Sequence, residues 1–153
     1  MALAASIAGI AIVTGLLWGV FPRQSLASAV VAHMAHEPDA WQQTEPVPAG
    51  DLQQVISSSG ISIDAMLPEV TYASSCWFRG HYVPHLVVQT DTGPVTVMVL
   101  TRERVAAPTE FAEGGYRGVL VPAPRGALAV IARNAGDVEA VARRALAAVS
   151  YVD

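Results

Sequence analysis

The sequence predicts an α+β domain behind an N-terminal transmembrane helix. Three observations carry this reading. Met1 to Pro22 contains no charged side chain, while the rest of the chain holds all nine Arg and all 13 Asp plus Glu. From Glu69 to Arg133 the chain reads as β-rich segments separated by Gly, Pro and Asp turn signals. Near its end it shows an apolar stripe at helical spacing. With 153 residues there is room for one domain of ordinary size. The 52% apolar and 14% charged composition excludes disorder over most of the length.

The opening run, MALAASIAGIAIVTGLLWGVFP, is long enough to span a bilayer, since ~20 helical residues cross a hydrocarbon core of ~30 Å. Trp18 and Phe21 fall near its end, where aromatic rings favour the interface. A cleaved signal peptide is the rival reading, with Ala27-Ser28-Ala29 as its small-residue site. It is disfavoured because no basic residue precedes the apolar run. Arg23 is the only flanking cation, so a cytoplasmic portion upstream is expected to supply the missing anchor.

Residues 23–49 read as a juxtamembrane helix and linker, and residues 50–153 as a periplasmic α+β domain. Ser25 can cap a helix reaching Glu37, with Leu26, Val30, His33 and Met34 at helical spacing and Pro38 as the stop. Residues 42–50 have linker composition. Asp51 is expected to cap a second helix, Leu52 to Ser59, ended by Gly60. Strands are expected at Glu69–Phe78 and Tyr82–Thr90, with Arg79-Gly80 as the turn between them. Pro94–Arg104 is the clearest strand: Val95, Val97 and Val99 face one way, and Thr96, Met98 and Leu100 the other. Both sets are apolar enough to place it centrally. Val105–Gly115 reads as a loop or short helical turn. Tyr116–Val121 and Ala127–Arg133 complete an antiparallel meander of about five strands. Asp137 then caps a closing helix whose stripe is Val138, Val141, Ala142, Ala145, Leu146 and Val149.

The chemistry-bearing residues are few. His33 and His36 are three apart on the first soluble helix, and Cys76, His81 and His85 follow as C-x4-H-x3-H. Zn²⁺ takes Cys thiolate and His nitrogen, so these five are the candidate metal ligands, with haem as the other group they could serve. The alternative is structural: His33 at a helix–sheet contact, His36 at a helix end, His85 bonded to backbone, and no cofactor. Cys76, the only Cys, cannot form an internal disulfide. It reads first as a buried small residue, next as a link between two chains, last as a nucleophile. Glu37-Pro38-Asp39 reads as a helix end, not an acid–base couple. No nucleotide-binding or hydrolase motif occurs, so no enzymatic activity is expected. A net charge of −4 argues against nucleic acid as a partner.

Several segments together resemble a known family: A-H-E-P (Ala35–Pro38), Tyr72-Ala73 followed by Cys76, P-H-L-V-V-Q (Pro84–Gln89), G-P-V-T-V-M-V-L (Gly93–Leu100) and G-A-L-A-V-I (Gly126–Ile131). They look like bacterial membrane proteins known only as a domain of unknown function, laid out like anti-sigma factors. The resemblance covers roughly residues 1–150. It implies an inner-membrane protein with its soluble domain in the periplasm, sensing or binding an extracytoplasmic ligand. It implies as partners the membrane, a protein in the bilayer, or a sigma factor held through a missing N-terminal part. No site residue is carried over from the family. Two other roles fit the residues: a periplasmic zinc or haem protein, and a small accessory subunit of a membrane complex.

Overall fold

A computed structural model describes residues 24–63, 69–133 and 137–151, and the expected membrane span at Met1–Pro22 lies outside them. Among the described residues, no helix is long and apolar enough to cross a membrane. The first element is α1 (Leu26–His36), capped by Ser25, whose hydroxyl accepts from the Ser28 amide at 3.0 Å. Pro38 ends it and opens a 3-10 turn, Pro38–Gln42. Next comes α2 (Ala49–Ser57), which starts two residues before Asp51. Pro48 stands at its N-cap, and the Asp51 carboxylate complements the dipole from the first turn instead of capping it.

Among the described residues, eight strands and one helix follow. They are β1 (Ile61–Ile63), β2 (Val70–Phe78), β3 (His81–Thr90), β4 (Gly93–Leu100), β5 (Thr109–Glu113), β6 (Tyr116–Pro122), β7 (Ala127–Ala132) and β8 (Val149–Tyr151), with α3 (Val138–Ala148) between the last two. Asp137 caps α3, its carboxylate accepting from the Ala140 amide at 3.0 Å. The α+β class is as expected, but the sheet is not a five-stranded meander. It has six antiparallel strands in the order β2-β3-β4-β7-β6-β5, and β1 and β8 form a separate two-stranded ribbon. After β4 the chain crosses to the far edge, and β5, β6 and β7 wind back until β7 pairs with β4.

The expected loop at Val105–Gly115 contains the edge strand β5. Its pattern is almost wholly exposed, so it lacks the alternation that marks a half-buried strand. Its one half-buried residue, Phe111, lies over Gly118 on β6, where a Cβ would stand 2.5 Å from the ring and 2.7 Å from the Val130 carbonyl oxygen. β4 stops at Leu100, short of Arg104. It is central as expected, with Val95 to Leu100 all buried.

The sheet is covered on both faces. One face presents Leu86, Val97, Val99, Leu128 and Val130 to Ile56 of α2 and Val141, Ala142 and Ala145 of α3. The other presents Phe78, Val83, Met98, Leu120 and Ile131 to Val30 and Met34 of α1 and to Trp41 of the 3-10 turn. Segment 26–42 is therefore part of the packed unit. The β2–β3 hairpin closes with Arg79 and Gly80, both at positive φ (47° and 89°). That is the signature of a two-residue turn matched to strand twist. It sets Cys76 opposite Val83, Ser74 opposite His85 and Tyr72 opposite Val87, so Cys76, His85 and Tyr72 share the face that α1 covers.

Candidate metal centre

Beneath the C-terminal end of α1, four donor groups converge: His33, Glu37, Cys76 and His85, each offering an atom within 4.8 Å of the others. Two come from the helix side and two from the sheet. His33 and Glu37 are four residues apart, which stacks them on one side of the helix. Glu37 itself is the residue after α1 ends, with φ −123° and ψ 56°. That departure from helical geometry, just before Pro38, accompanies a carboxylate turned to the strands. β2 supplies Cys76 and β3 supplies His85.

The Glu37 carboxylate is the centre of the cluster. Its Oε2 lies 2.9 Å from His85 Nδ1, and accepts from the Tyr72 hydroxyl at 3.3 Å and the Cys76 thiol at 3.4 Å. Cys76 Sγ is also 3.7 Å from His85 Nδ1. Oε1 lies 3.4 Å from His33 Nε2, a buried nitrogen that forms no hydrogen bond at that distance. The His85 ring is fully buried and meets the Tyr72 ring in an edge arrangement at a centroid separation of 5.0 Å.

The surroundings set the ionisation of these groups. The hydrogen bond with His85, helped by that from Cys76, holds the Glu37 carboxyl down at about 2 against the opposing effect of burial. Burial first, and the neighbouring carboxylate second, push the Cys76 thiol up to about 12. Burial likewise raises the Tyr72 phenol to about 12 and lowers His33 below its usual 6.5. Without a cation the cluster thus holds one carboxylate among a neutral thiol and phenol.

Of the five expected ligands, the structure gathers His33, Cys76 and His85 and leaves two outside. His36 shares the helix but is exposed at its last position. A spacing of three turns it ~60° from His33, and here that is enough to carry it off the buried side. His81 opens β3 at the hairpin turn, is buried, and lines a surface pocket with Trp77, Tyr82 and Thr101, apart from the cluster. Glu37 was missed. The signal that points to it is its place four residues after His33, at a helix end fixed by Pro38.

A family described as "Protein of unknown function (DUF3379)" matches residues 1–149, nearly the whole chain. The chain belongs to this DUF3379 family. That agrees with the expected uncharacterised family, and its match takes in all four converging residues. No curated protein and no solved structure matches the chain.

The cluster suits coordination better than nucleophilic catalysis. In a thiol–imidazole–carboxylate relay, the thiol and the carboxylate bond opposite ring nitrogens. Here both face His85 Nδ1, and Nε2 is buried without a partner. A thiol raised to about 12 is also no nucleophile until something removes its proton.

Proposed function

We propose that this chain is a transition-metal-binding domain whose site is His33, Glu37, Cys76 and His85. The observation that carries the reading is the convergence of these four groups within 4.8 Å, two of them buried in the sheet and two half-buried at the end of α1. Thiolate and imidazole favour Zn²⁺ and its neighbours over Ca²⁺ or Mg²⁺, which take oxygen ligands. Bonds of ~2.0–2.3 Å in a tetrahedron put donors ~3.3–3.6 Å apart. Among Glu37 Oε2, Cys76 Sγ and His85 Nδ1 the separations of 2.9, 3.4 and 3.7 Å lie around that range, and His33 Nε2 stands 3.4 Å from the other carboxylate oxygen, Oε1. The charges also balance. Glu37 and a deprotonated Cys76 neutralise a dication, while both His bind as neutral imidazoles, so net charge is not left buried. Four donors this close, two of them 2.9 Å apart, suit a single ion and leave no slot for a haem macrocycle. Tyr72 orients the carboxylate by donating to it.

The reading extends to place and role. We propose an extracytoplasmic binding half of an anti-sigma-like regulator, tethered to the bacterial inner membrane. Its support is the uncharged run at Met1–Pro22 and the likeness of layout described above. No enzymatic activity is part of it.

The test is metal titration of the purified, metal-stripped chain. One equivalent of Zn²⁺ should bind. Co²⁺ in its place should give tetrahedral d–d bands and thiolate-to-metal charge transfer, the latter lost in Cys76→Ser. No stoichiometric metal, or a Co²⁺ spectrum indifferent to Cys76→Ser, overturns the metal reading. For the regulatory role, deletion should alter transcription governed by a neighbouring sigma factor, and unchanged transcription refutes it.

A further inference from the structure

We infer that metal occupancy latches α1 onto the sheet, so that the site controls the docking of the helix that follows residues 1–23. The inference rests on the metal-binding reading and adds a consequence to it. Its basis is how the donors are divided. His33 and Glu37 belong to α1 and its C-cap, whereas Cys76 and His85 belong to β2 and β3. An ion bound by all four can exist only while α1 lies on the sheet.

Without that ion, α1 has modest means of staying there. Its 11 residues are too few for a helix that is stable alone, since isolated helices under ~12–15 residues are marginal in water. Docking must therefore hold it, and undocking amounts to melting. Its buried side chains are mostly small: Ala29, Val30, Val31 and Met34. Among the described residues, its polar ties to the sheet are the Glu37 carboxylate at one end and an exposed hydrogen bond from the Ser28 hydroxyl to Glu113 (2.9 Å) at the other. The helices on the opposite face contribute nothing to the donor set, so the ion acts on α1 selectively.

The size of the effect follows from linkage. A ligand that binds only the docked form lowers the undocked population by a factor of 1 + [L]/Kd, about 100-fold at a hundred times Kd. Hydrogen–deuterium exchange of the full chain in mild detergent, with and without Zn²⁺, reads this out. The amides of Val30, Val31 and Met34 should exchange about 100-fold more slowly with zinc. Those of Val141, Ala142 and Ala145 in α3 should change far less. Cys76→Ala removes a donor from the sheet and His33→Gln one from the helix, and both should abolish the zinc-dependent slowing. Zinc bound stoichiometrically with α1 and α3 slowed alike, or with α1 unchanged, overturns the latch and leaves the metal site standing. Failure to bind zinc overturns both. If one variant does not fold, the other and the wild-type comparison of α1 with α3 still decide.

Discussion

Beneath α2 and α3, the central strands present aliphatic side chains, among them Leu86, Val97, Val99, Leu128 and Val130. Beneath α1, the same sheet presents Tyr72, Cys76 and His85 beside Val83, Met98 and Ile131. The strand period of two makes this division possible: alternate residues of one strand serve an oily interface and a polar cluster. The lesson is a separation of tasks. Burial of aliphatic surface on one face supplies stability without directional demands. The other face can then hold a carboxylate, a thiol and two imidazoles, which are costly to bury unless each finds a partner.

The sharpest way to break the comparison is on the aliphatic face. Leu86→Ala should cost about 2–5 kcal/mol in denaturant unfolding, with zinc affinity of the folded chain unchanged. A large loss of affinity in that variant would show that the two faces are not independent. Next comes Glu37→Gln in metal-free protein. It deprives Tyr72, Cys76 and His85 of their charged acceptor and should cost about 1–3 kcal/mol. Equal stability of the variant and the parent would mean that the carboxylate does not hold the cluster together.

Acid should act on the polar face. In metal-free protein the Glu37 carboxyl sits at about 2, below its ordinary 4.5. Its contribution is thus full above pH 4.5 and fades as pH falls toward 2. His33, held below 6.5 by burial, adds to the loss from 6.5 downward, because the unfolded chain takes up that proton first. The urea midpoint should fall steadily on acidification, and Glu37→Gln should flatten the lower part of the slope. A midpoint that rises on acidification contradicts the assignment. The smallest effect belongs to the uncovered end of the aliphatic face, where Trp77 and Tyr82 pair across the strands while both are more than half exposed. Trp77→Ala should cost about 0.2–1 kcal/mol and leave zinc binding untouched.

Much of this division is legible in the sequence. The alternation of Val95, Val97 and Val99 against Thr96, Met98 and Leu100 marks β4 as doubly buried, and the structure puts each set in a different core. Ser25 and Pro38 bracket α1 to within a residue. Where the sequence misleads, the missing information is tertiary. β5 is polar and exposed and exists because β6 offers it an edge, and β1 and β8 are three-residue strands that only pairing with each other defines. At the site, donor chemistry singles out His33, Cys76 and His85. The separation of His81 and His36 from them depends on where a hairpin and a helix end, and Glu37 joins through a turn beside Pro38 that spacing alone does not reveal.

The Arg79–Gly80 turn has a bearing on evolution that its small size conceals. Because side chains alternate along a strand, one residue gained or lost in that loop and not taken up by a longer turn or a bulge would slip β2 past β3. Cys76 would then point to the aliphatic face, and Trp77 would point toward His33 and His85. The loop is therefore a gauge for the donor set: a change of its length by one keeps the same four ligands only if a longer turn or a bulge takes up the difference.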